Sequence, residues 1–149
     1  MPEGDIVAYN DLKEQLFKKV HDFINDVIKV SLHTGYTPNI DTHQVWADVS
    51  ATEYGTASGY TAGGVTLANK SVTQDNTNDR ALFDADDATW SSLGPLSPAT
   101  PSHGIIRNTT PTSPLIPLIA YILLGTKATN GGNYTLQWSA SPSAILTIT

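Results

Sequence analysis

Between residues 12 and 27 apolar side chains return every three to four positions, as Leu12, Leu16, Phe17, Val20, Phe23, Ile24 and Val27, with Lys13, Glu14, Lys18, Lys19 and Asp22 interleaved. That period predicts an amphipathic helix over 10–26. Asn10 or Asp11 is placed to accept from the free N–H groups of its first turn. Glu14 follows Asp11 at capping-box spacing, and Glu14 and Lys18 form a favourable i,i+4 pair. The apolar stripe is expected to pack on the domain's own sheet, the alternative being a neighbouring subunit.

Past residue 26 the period shortens to two, or to brief β-branched runs separated by Gly, Pro, Asn, Asp and Ser. This predicts consecutive short strands over 27–34, 65–73, 81–85, 104–107, 116–124, 134–138 and 144–148, with Thr89-Trp90 as an extra piece. About seven strands of this kind suit a two-layer sandwich. The expected fold is therefore mainly β: a two-layer β-sandwich of antiparallel strands with one N-terminal helix, in a single domain over 1–149. Gly63-Gly64, Asn76 to Asp79 and Asn130-Gly131-Gly132 supply residues that tolerate positive φ. The last group predicts a hairpin joining strands 116–124 and 134–138. Pro95, Pro98, Pro101, Pro111, Pro114 and Pro117 make 93–117 a Pro-rich loop region, either rigid on its own domain or an arm reaching a neighbour.

Composition narrows the function. Charged residues are only 15% of the chain, against roughly 25% for an average soluble protein. The surface is thus neutral-polar, able to hydrogen-bond a neighbour without desolvating many ions. A net charge of −6 and a pI near 4.9 argue against nucleic acid as a partner. The absence of cysteine removes disulfides and thiolate metal ligands. No basic and apolar leader pattern stands at residues 1–10, so export by a signal peptide is not expected. The longest apolar run, 115–124, is interrupted by Pro117 and is half the ~20 residues of a membrane span, so no membrane role is expected either.

Catalytic material is thin. No nucleophile elbow, His-Glu-x-x-His pair, phosphate loop or dinucleotide fingerprint occurs, and neither an enzyme nor a cofactor is expected. Asp84, Asp86 and Asp87 form the densest acidic cluster, but they lack the glycine and distal Glu of a calcium loop. They are expected to cap backbone N–H groups in a turn. His33, Asp41 and His43 match no zinc spacing and are expected to act as ordinary hydrogen-bonding residues. Trp46, Trp90 and Trp138 could line a sugar groove, although core or interface anchoring is the commoner use of tryptophan.

Several stretches occur in a recognisable order. They are Asp26-Val27-Ile28-Lys29-Val30-Ser31-Leu32, Tyr36-Thr37-Pro38-Asn39-Ile40-Asp41-Thr42-His43, and Ser58-Gly59-Tyr60-Thr61-Ala62-Gly63-Gly64-Val65-Thr66-Leu67-Ala68-Asn69-Lys70. Phe83 to Trp90, Ser113-Pro114-Leu115-Ile116, Ile119-Ala120-Tyr121 and Asn133-Tyr134-Thr135-Leu136-Gln137-Trp138 follow. Together these stretches, covering 26–149, resemble a recurrent family of tailed-bacteriophage virion structural proteins. The chain departs from that pattern at 93–101 and 105–118, where extra prolines lengthen the loops.

The resemblance implies a virion component assembled in the bacterial host cytoplasm, binding other virion proteins, and it carries over no catalytic, cofactor or metal residue. A small acidic domain of this kind suits a capsid decoration or cement protein on the major capsid protein shell, as a homo-oligomer such as a trimer. The alternatives are a neck or tail position, as adaptor, tail-tube or fibre-associated piece, and a glycan-binding module. Contacts are expected from loop aromatics Tyr36, Tyr54 and Tyr60, taken as exposed, and from Pro95, Pro98 and Pro101.

Overall fold

The computed structural model describes residues 4–125, 127–138 and 144–149. Ten strands and one α-helix run in the order β1 (Ile6–Ala8), α1 (Asn10–Phe17), β2 (Ile28–His33), β3 (Val65–Thr66), β4 (Ser71–Asp75), β5 (Arg80–Asp84), β6 (Ala88–Leu93), β7 (His103–Asn108), β8 (Leu118–Leu123), β9 (Gly132–Leu136) and β10 (Leu146–Ile148). Two 3-10 helices, Trp46–Asp48 and Ser50–Thr52, lie between β2 and β3. The protein is mainly β, as expected. No helix among the described residues is long and apolar enough to cross a membrane.

The strands form an antiparallel five-stranded sheet in the order β1-β8-β7-β2-β3, a three-stranded sheet β10-β5-β4 and a two-stranded sheet β6-β9. Pleating sends alternate residues of the five-stranded sheet to opposite sides. Its inner face carries Ile28, Val30, Leu32, Ile106, Ala120 and Ile122, which join Phe83, Trp90, Leu93, Tyr134 and Leu136 of the smaller sheets in one apolar core. This is the sandwich. Gly104 lets the layers meet, because a Cβ there would stand 2.6 Å from Ile122 Cγ2 and 3.4 Å from Leu136.

The outer face of the same sheet is also covered. Segment 34–52 crosses it and closes a second cluster of Tyr9, Tyr36, Val49, Ile105, Leu118 and Tyr121, with Val7, Ile40 and Trp46 at its edge. Burial on both faces explains why every residue of β7 is buried although its sequence includes His103, Arg107 and Asn108.

Three expectations need correction, and one strand was not foreseen. The helix stops at Phe17, well short of residue 26: Lys19 takes φ +57°, Lys19 N–H donates to Leu16 O and Val20 N–H to Gln15 O, a Schellman ending without its usual glycine. Asp22 then accepts from Ile24 and Asn25 N–H and holds a turn that swings Phe23 back onto the core. At the start, Tyr9 is the N-cap and gives no side-chain capping bond; Asn10 reaches Asp41 and Asp11 accepts from Gln15. Second, the strand expected over 65–73 is two strands, because Asn69 at φ +49° hands the chain from the large sheet to the three-stranded one. Third, 116–124 and 134–138 form no hairpin with each other. β8 stays in the five-stranded sheet while β9 pairs β6 in the opposite layer. The unforeseen strand is three-residue β1, which gave no alternation to read. By contrast, Leu12 is buried in the main core and Leu16 packs against it, so the helix does dock on its own domain.

Candidate functional site

The outer face concentrates the polar side chains of the interior. On β2, Ser31 and His33 occupy alternate positions; on β7, His103 pairs with His33 in register and Arg107 lies on the same side. Ser31 is 0% and Arg107 3% exposed. The Arg107 guanidinium donates to Ser31 Oγ at 2.6 Å and to Gly63 O at 2.8 Å, and stacks 3.6 Å above the Trp46 ring.

Hydrogen positions follow from the partners. Thr52 Oγ1 donates to Val49 O at 2.8 Å, so towards His33 Nδ1, 2.9 Å away, it must accept. His33 therefore carries its proton on Nδ1, and Nε2 accepts from Ser31 Oγ at 2.9 Å. One directed chain runs Arg107 to Ser31 to His33 to Thr52 to the Val49 carbonyl. Burial lowers the His33 pKa to about 3, with Arg107 and then His103 adding repulsion. The imidazole is neutral at pH 7.

A second chain stands beside it. Tyr36 Oη lies 2.7 Å from Tyr9 Oη and 2.9 Å from His43 Nδ1, and its ring meets His103 edge-on. A third ties the Gly63-Gly64 turn: Tyr60 Oη receives Leu32 N–H and donates to Glu53 Oε1, which also accepts Gly63 N–H, the latter two bonds both at 2.7 Å. Gly63 thus stands between a cation on its carbonyl and an anion on its N–H. Gly64, at φ +67°, has no room for a side chain, since a Cβ would fall 2.0 Å from Val30 O.

A serine and a neutral histidine 2.9 Å apart could in chemical terms form a nucleophile and base. Here both are sealed under Trp46, Tyr36 and Thr52, and each hydrogen-bonding atom has a protein partner. The set acts as a rivet between segment 34–52 and the sheet.

The sequence-derived residues are distributed differently from expectation. Tyr36, Tyr54 and Tyr60 are buried, not exposed: Tyr60 is 1% exposed and Tyr54 donates its hydroxyl to Ala99 O. Each phenol needs a buried partner, and finds one by turning inward. Of the loop prolines, Pro95 and Pro98 are exposed and Pro101 is buried. The loop between β6 and β7 is pinned to its own domain by Gly94 N–H on Ser58 O, Leu96 N–H on Thr129 Oγ1 and Ser102 N–H on His33 O. His33, Asp41 and His43 are not brought together, and among the described residues no group of three or more His, Asp or Glu side chains is placed to hold a metal ion. In the acidic stretch, Asp87 accepts the Trp138 N–H and Asp86 accepts from Asn69 and, through its carbonyl, from the Trp138 indole. Trp90 and Trp138 belong to the inner core while Trp46 lies on the opposite face, so the three line no common groove.

Of the polar alternation Ser31-His33 and His103-Arg107, visible within the strands themselves, only His33 was expected as a hydrogen-bonding residue. The exposed apolar side chains were not foreseen. Phe17 is 91% exposed and Leu115 63%. The three-stranded sheet overhangs the core: Val72, Ala81 and Ile148 continue its inner face beyond Phe83 and Leu146, over an open concavity of about 480 Å³. Edge strand β4 is almost wholly exposed.

No family model, no curated protein and no solved structure matches the chain.

Proposed function

We propose that the protein is a bacteriophage virion structural protein, working as a capsid decoration or cement protein that binds the major capsid protein shell in many copies. The observation that carries a binding role is the division of its side chains. The polar groups under segment 34–52, Ser31, His33 and Arg107, are engaged in internal hydrogen bonds, whereas large apolar groups such as Phe17 and Leu115, and the overhanging face of the three-stranded sheet, are left to solvent. A contiguous apolar face left uncovered, as on the three-stranded sheet, supports contact with another macromolecule. The ordered resemblance over 26–149 supplies the virion setting, and repeated weak contacts on a symmetric shell add through multivalency.

Quantitative mass spectrometry of purified phage particles, combined with cryo-electron microscopy, tests this directly. Hundreds of copies on the head are expected. A dozen or fewer copies at the neck or tail would replace decoration with an adaptor, tail-tube or fibre-associated role, and complete absence from particles would overturn the virion reading.

A further inference from the structure

We propose that segment 34–52 is an acid-releasable flap: protonation of the imidazoles beneath it detaches the segment from the five-stranded sheet while the sandwich stays folded. The inference concerns the isolated chain and does not depend on its place in a virion.

The geometry concentrates basic groups where water cannot reach them. His33 is fully buried, opposite His103 in the β2–β7 register and beside Arg107 on the same face. From above, the flap covers His33 with the Trp46 and Tyr36 rings, their centroids 5.6 and 6.1 Å from its own, and with the Thr52 hydroxyl. His43 faces Tyr36 from the flap itself, and Tyr121 of β8 and Tyr9 close the floor under Tyr36. Glu53, just past the flap, is the acidic group nearest this network, and its Oε1 is already engaged by the Tyr60 hydroxyl and Gly63 N–H. Asp48 on the flap points elsewhere, accepting from Gln44 and Val45 N–H.

A proton added to His33 Nε2 places a second cation beside the Arg107 guanidinium with no carboxylate to receive it. Ser31 and His103 flank His33 from the sheet and Glu53 bridges its backbone on the other side, so lifting the flap is the route by which water reaches the new charge. Few backbone bonds oppose this. Besides the bonds internal to it, the flap is held by Trp46 N–H to Ile116 O, Leu118 N–H to Gln44 O and Asn10 N–H to Ile40 O. Release uncovers Tyr9, Ile105, Leu118 and Tyr121, turning a closed face into an apolar one.

Amide hydrogen exchange of the full chain between pH 7 and pH 4, corrected for intrinsic rates, tests the proposal. At pH 4 the Trp46 and Leu118 amides are expected to be at least tenfold less protected than at pH 7, while the β2–β7 ladder, though weakened, stays protected. Loss of protection in both would mean global unfolding and overturn it. His33→Gln, which cannot take up the proton, is expected to abolish most of the difference, whereas Asp48→Asn should leave it in place. Full acid release in the His33→Gln variant would overturn the proposal. Should that variant not fold, imidazole NMR on the unaltered chain decides. The His33 ring is expected to protonate in step with the loss of Trp46 protection, and a ring that protonates while that amide stays protected would sink the idea.

Discussion

The two faces of the five-stranded sheet are built from the same strands and solve burial in opposite ways. Inward, Val30, Ile106 and Ile122 meet the smaller sheets through apolar contact alone. Outward, their immediate neighbours Ser31, Arg107 and Tyr121 meet a segment with little regular structure through hydrogen bonds, ring edges and one cation over an indole. Apolar packing is non-directional and tolerant of pH; a polar network is directional and fails when one partner changes charge. The inner face therefore supplies most of the stability, and the outer face fixes where segment 34–52 sits.

Adjacent residues separate the two contributions. Ile106→Ala opens a cavity in the inner core and is expected to cost roughly 2–5 kcal/mol in denaturant unfolding. Arg107→Ala, one position on and facing outward, leaves Ser31 Oγ and Gly63 O short of a donor and is expected to cost about 1–3 kcal/mol. A larger loss for Arg107→Ala than for Ile106→Ala would reverse the assignment of the two faces. The next effect belongs to pH. The folded His33 pKa, about 3, lies below the unfolded value near 6.5, so its contribution is complete above pH 6.5 and declines as pH falls towards 3. The decline approaches about 1.4 kcal/mol per pH unit in that window, and melting curves at pH 7 and pH 5 should show it, with a shallower dependence in His33→Gln. Smallest of all is Phe17→Ser. A side chain this exposed should change unfolding by no more than about 0.5 kcal/mol, while, on the proposed virion role, weakening attachment to purified particles that lack the protein. Unchanged attachment would remove Phe17 from the contact surface.

The strands were legible because alternation and short apolar runs bounded by turn residues survive whatever lies above them: β2, β5, β7 and β8 fall where the pattern put them. What the pattern could not convey was which layer each strand joins. The residues 65–73 read as one run because Val65, Leu67 and Val72 are all strand-like, yet a single left-handed Asn69 divides them between two sheets. The long helix failed for a similar reason. Phe23 lies in register with the apolar stripe of α1, but Asp22 offers the backbone a local alternative that periodicity does not weigh. The tyrosines were misplaced because loop position was taken for exposure. Tyr36, Tyr54 and Tyr60 lie in loops that fold over the sheet, where a phenol can bury its ring and still bond Tyr9, Ala99 or Glu53.

The sheet order β1-β8-β7-β2-β3 also governs how the chain can be made. Of its five strands, β7 and β8 leave the ribosome last, after β1 has waited for its partner β8 and β2 for its partner β7. No portion of the N-terminal half can close a layer until Leu123 has emerged, so folding is expected to follow synthesis and not accompany it. A nascent chain stalled before β8 should remain open to protease throughout, and one released at full length should become resistant in a single step.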